Sequence, residues 1–93
     1  METLKAVNAV SMKNEEAGIT YNYEHVTNTA PDRINFHRIK KDGDKEVLDI
    51  TGGFDTNTKV LHLCFHTGVS TPDKSIVDVA NSDINEILAQ FKQ

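Results

Sequence analysis

The chain has a single cysteine, no tryptophan, two prolines and only 6% aromatic residues among its 93 positions. One unpaired thiol, Cys64, excludes a disulfide framework. Nothing approaches the roughly 20 consecutive apolar residues that a membrane-crossing helix needs. The first dozen residues carry Lys5 within a broken apolar pattern rather than a secretory core, so a cytoplasmic protein without a membrane partner is expected. Length excludes large enzyme architectures such as barrels and dinucleotide-binding sheets. Its five glycines form no phosphate-binding loop followed by a correctly spaced lysine. No cofactor is implied.

What is present is 38% hydrophobic and 26% charged, with a formal net charge of −4 when the four histidines are neutral. That is enough apolar material for one small core and describes a single domain over residues 1–93. The acidic balance disfavours a nucleic-acid partner. Half of the basic residues, Arg33, Arg38, Lys40, Lys41 and Lys45, cluster together, but Asp42, Asp44 and Glu46 are interleaved with them.

From Thr3 to Lys13 the even positions Leu4, Ala6, Val10 and Met12 are apolar, which reads as a strand. A polar turn over Asn14 to Gly18 leads to Ile19, Tyr21 and Tyr23, which alternate with polar residues up to about Val26. These two strands are expected to form a hairpin. Pro31 interrupts pairing, and a third strand begins near Arg33.

The stretch Lys41-Asp42-Gly43-Asp44 must turn the chain. A two-residue loop at Asp42-Gly43 mixes polar and apolar groups on both faces. A three-residue loop over Lys41 to Gly43 sets Phe36 opposite Leu48, Ile34 opposite Ile50, Arg38 opposite Glu46 and Lys40 opposite Asp44, and is the reading adopted. After a turn near Asp55 to Thr58, Leu61, Leu63 and Phe65 would oppose Gly52, Ile50 and Leu48. Gly52 or Gly53 could host a bulge that shifts this pairing.

Beyond Gly68, Ile76, Val77, Ala80, Ile84, Ile87, Leu88 and Phe91 fall within an arc of about 120° at helical spacing. Thr71 suits the N-cap, Pro72 the first helical position and Asp73 the first turn, which predicts an amphipathic helix to about Lys92. The run Asn81-Ser82-Asp83 is poor in helix formers and leaves open a strand over Ser75 to Ala80 before a shorter helix. The expected fold is α+β: an antiparallel sheet of about five strands with a C-terminal amphipathic helix on one face.

In that register the uncovered face carries Asn35, His37, Ile39, Val47, Asp49, Thr51, Val60, His62, Cys64 and His66. A non-catalytic interaction module is the leading expectation, with His37, Ile39, Val47 and Val60 as an interaction face for a protein partner or for self-association. The alternative is metal or small-ligand binding by His62, Cys64 and His66, with Asp49 placed across from Cys64. Spacing limits that idea, since alternate strand residues lie about 6.6 Å apart and His62 and His66 about 13 Å apart. Cysteine catalysis is disfavoured because Cys64 falls mid-strand, where backbone amides are already paired and cannot serve an oxyanion. Tyr21 and Tyr23 are expected in the core, and His25 on the surface.

Overall fold

A computed structural model describes residues 7–66 and 75–91. It contains β1 (Val7–Asn14), β2 (Ile19–Val26), β3 (Arg33–Asp42), β4 (Lys45–Asp55) and β5 (Val60–Phe65), followed by α1 (Ser75–Ala89). The strands form one antiparallel sheet in sequence order, β1-β2-β3-β4-β5. The α+β class is therefore as expected. The anticipated first strand is found from Val7 onward, whereas Leu4 and Ala6 lie outside the described residues. So do Thr71, Pro72 and Asp73, the anticipated helix start. Ser75 to Ala80 is helical, which overturns the strand alternative for that segment.

One face of the sheet is sealed by α1. Ile19, Tyr21, Tyr23, Ile34, Phe36 and Ile50 meet Ile76, Ala80, Ile84 and Ile87 in a single buried cluster. At roughly 1.5–3 kcal/mol per buried side chain, this contact dominates the fold's stability. Val10, Leu61, Leu63, Phe65 and Phe91 pack around its margin. Asp83, a poor helix former in isolation, has a task inside α1. It accepts hydrogen bonds from the Tyr21 hydroxyl at 2.6 Å and from the Asn14 amide at 2.8 Å, tying the helix to β1 and β2. Burial first, and then the hydrogen bond to Asp83 and its charge, push the Tyr21 phenol well above its ordinary pKa. His25 is half-buried rather than a free surface histidine, with its ring edge-on to Phe91 at 4.8 Å.

The β3–β4 hairpin departs from the expected register. Asp42 pairs with Lys45, so the loop is Gly43-Asp44, with Gly43 in the left-handed region at φ 66°. Lys41 then meets Glu46, Lys40 meets Val47 and Ile39 meets Leu48, before the register shifts between Arg38 and Ile39. Past the shift, Arg38 opposes Ile50, Phe36 opposes Gly52 and Ile34 opposes Phe54. Asp49 is the extra residue of this β-bulge. The bulge thus lies before the two glycines, and neither of them hosts it.

Several expectations fall with the old register. The proposed Arg38–Glu46 and Lys40–Asp44 pairs give way to Arg38–Asp49 at 2.9 Å and Lys40–Asp49 at 3.8 Å. Leu48, expected inside, is 39% exposed, and Asp49, expected on the open face, is 2% exposed. The bulge is the reason: it lets Asp49 and Ile50, adjacent in sequence, both be buried, and it turns Leu48 to the side of Ile39. Val47 lies opposite Lys40, whose ammonium reaches Asp49, so Val47 belongs to the helix side and leaves the proposed interaction face.

The β4–β5 pairing is displaced by two residues from expectation, with Leu61 opposite Phe54, Leu63 opposite Gly52 and Phe65 opposite Ile50. An even displacement preserves the faces. Leu61, Leu63 and Phe65 are half-buried on the core side, and His62, Cys64 and His66 are exposed on the other. Gly52 is required by close approach, since a Cβ there would overlap the Phe36 ring and the His62 carbonyl oxygen.

Candidate interaction face

The face away from α1 is built by simple alternation. Cross-strand partners share a face, so Thr20, His37, Thr51 and Cys64 form one transverse row, since each is paired to the next. Asn22, Asn35, Gly53 and His62 form the row beside it, again pair by pair. The described helix lies on the other face, against Ile19, Tyr21, Ile34, Phe36 and Ile50.

At the bulge end the face becomes apolar. Ile39 and Leu48 are cross-strand partners, 49% and 39% exposed. Through its amide, His66 donates to the Asp49 carbonyl at 2.8 Å, continuing the β4–β5 ladder past Phe65 toward this end. Its Nε2 lies 3.1 Å from Thr51 Oγ1. His37, Ile39, Leu48, Thr51, Cys64 and His66 therefore make one patch of two aliphatic side chains, two imidazoles, a hydroxyl and a thiol.

The opposite end of the same face is polar. Arg33 Nε donates to Asn35 Oδ1 at 3.0 Å, and these two groups and the His62 ring cover Gly53, which is buried despite having no side chain. A neighbouring open groove of about 550 Å³ is lined by Ser11, Asn22, Glu24, Asp32, Arg33 and Asn35 among others. Val60 stands at this end, 55% exposed and opposite Asp55. Asp55 Oδ1 accepts the amides of Asn57 and Thr58, and the Thr58 amide is the main reason its carboxyl sits below its ordinary pKa.

Of the residues singled out from sequence, His37, Ile39, Val60, His62, Cys64 and His66 do lie on the open face, and Val47 and Asp49 do not. The metal reading loses its carboxylate, because Asp49 is buried and engaged by Arg38 through both oxygens. Cys64 faces Thr51 instead. Among the described residues no three His, Cys, Asp or Glu side chains are grouped to hold one ion. Among the described residues neither His62 nor His66 is hydrogen-bonded to the exposed Cys64 thiol, and His66 is directed to Thr51. Leu48 is the member that the sequence reading misplaced, whereas Thr51 lies on the face expected of it. The sequence carries little signal for it, since the expected register and the observed one each make two opposite-charge rungs, Arg38–Glu46 and Lys40–Asp44 in the first and Lys41–Glu46 and Asp42–Lys45 in the second.

No helix among the described residues is long and apolar enough to cross a membrane. Comparison of the chain with family models, with curated protein sequences and with solved structures gives no match in any of the three.

Proposed function

We propose that this chain is a non-catalytic interaction module that binds another protein through the open face of its sheet, centred on Ile39 and Leu48. The observation that carries this reading is the distribution of exposed apolar side chains. Of the six large hydrophobics exposed among the described residues, Val7, Ile39, Leu48 and Val60 share the open face, Ile39 and Leu48 as cross-strand partners at the bulge end and Val7 and Val60 at the other, and only Met12 and Val77 lie elsewhere. An aliphatic pair beside imidazole, hydroxyl and thiol groups, with Lys41 and Glu46 at its turn side, suits a protein surface, where an apolar centre is ringed by a polar rim. The patch itself holds no carboxylate or cation, since Asp49, Arg38 and Lys40 are engaged on the other side, and the rung beyond it sets Lys41 opposite Glu46.

The test is site-specific photo-cross-linking in the source cells. A photoreactive residue at position 48 should give an adduct of discrete mass that Ile39→Asp abolishes, while the same residue at position 77, on the exposed side of α1, gives none. Adducts at position 77 with none at position 48 would overturn the reading.

A further inference from the structure

The two edges of the sheet are built differently. β1 contains Lys13 and is followed by Glu15 and Glu16, so charge guards that edge. β5, Val-Leu-His-Leu-Cys-Phe, is the one described strand with no Asp, Glu, Lys or Arg. Among the described residues it pairs with β4 alone, so its outer row of N–H and C=O groups is directed away from the sheet.

We propose that this edge pairs with the same strand of a second copy, joining two five-stranded sheets into one continuous antiparallel sheet about a twofold axis. This goes beyond the open-face reading, because it uses the edge of the sheet and not its face.

Three observations favour a second copy over a foreign strand. Each chain carries a net charge of −4, so two copies repel least where neither presents charge, and β5 is that place. The cover of the core also thins toward this edge. Ile34 and Ile50 are fully buried, while Leu61, Leu63 and Phe65, on the same face, are only half-buried.

The strand is moreover self-complementary under the symmetry an isologous contact demands. A twofold axis normal to the sheet keeps each face continuous when the residue numbers of opposed partners sum to an even value. With the axis at Leu63, Leu61 meets Phe65 of the second copy and His62 meets Cys64 of the second copy, so apolar groups meet on the helix side and polar groups on the open side.

A strand of six residues supplies less area than a standard interface of about 1,600 Å², which places the dimer in a concentration-dependent regime. Sedimentation velocity from about 1 to about 500 µM should show the mass doubling. Amide exchange over the same series should show protection rising in β5 and staying constant in β1. His62→Glu and Cys64→Glu, both at exposed positions, should together weaken association at least about tenfold, since each new carboxylate then faces one of the second copy across the axis. Ile39→Asp, which disables the proposed face, should leave the dimer intact, so the two readings fail separately. A monomer throughout the range overturns the proposal. So does association that Ile39→Asp abolishes or that protects β1.

Discussion

The two ends of the β3–β4 ladder are made of similar residues and do opposite things. On the core side of the Asp49 bulge, Ile34 and Phe36 point under α1 and are almost wholly buried. On the turn side, Ile39 and Leu48 are cross-strand partners of comparable size and both face solvent. The difference does not lie in hydrophobicity. One extra residue reverses which alternate positions face the helix, turning a carboxylate inward and a leucine outward. The inward carboxylate is tolerated because Arg38 and Lys40 converge on it. A hairpin can thereby serve the core at one end and expose an aliphatic pair at the other.

The contrast breaks most sharply at Phe36. Its ring lies over Gly52, which has no side chain to obstruct it, and next to Tyr21 at 5.6 Å between centroids. Phe36→Ala is expected to cost about 3–5 kcal/mol in denaturant unfolding, because neither the sheet nor α1 can collapse into the space. A cost below about 1 kcal/mol would mean that this end of the ladder is no more packed than the other.

The next largest effect tests the bulge itself. Arg38→Ala leaves Asp49, with 1% of its side chain exposed, facing only the more distant ammonium of Lys40. A loss of about 3 kcal/mol is expected, since an uncompensated buried charge remains. Arg38→Ala combined with Asp49→Ala should recover part of that loss, because the orphaned charge is then gone. Strictly additive losses would show that the pair does not act as one.

How much of this was legible follows from the same bulge. Alternation identified every strand, because Ile19, Tyr21 and Tyr23, or Leu61, Leu63 and Phe65, announce a face wherever parity is uninterrupted. The core-facing role of β5 survived a pairing error of two residues because an even slip leaves faces unchanged. Asp49 and Leu48 were assigned to the wrong sides because a bulge carries no composition of its own. Parity run across it inverts every residue on the far side, and Val47 went with them. The run Asn81-Ser82-Asp83 looked like a helix boundary because local propensity omits partners. The hydroxyl of Tyr21 and the amide of Asn14, each more than 60 positions away, supply what the helix backbone does not.

That clasp is the third test, on the helix that makes the core end different. Tyr21→Phe removes the hydroxyl donated to Asp83 and should cost about 1.5–2 kcal/mol, as for a hydrogen bond to a charged partner. The phenol has a folded pKa above its ordinary value of 10.0, so its neutral form contributes fully below that pH. Its share of stability is lost as pH climbs through the raised folded value. Wild-type stability should therefore decline in alkaline solution more steeply than that of Tyr21→Phe. Tyr23, raised by burial, leaves a residual slope in both. Parallel alkaline profiles would remove Tyr21 as the cause.

The smallest expected effect completes the comparison from the other end. Leu48→Asp places a charge on a side chain already 39% exposed, beyond the bulge and away from α1. Unfolding free energy should change by less than about 0.5 kcal/mol, although the same substitution in place of Ile50 would be ruinous. Binding through the open face should nevertheless be lost, because a carboxylate then sits where the aliphatic pair met its partner. A leucine that matters to binding and hardly at all to folding is what the bulge predicts. If Leu48→Asp instead unfolds the protein, then the turn end of the ladder belongs to the core, and the division drawn at Asp49 fails with it.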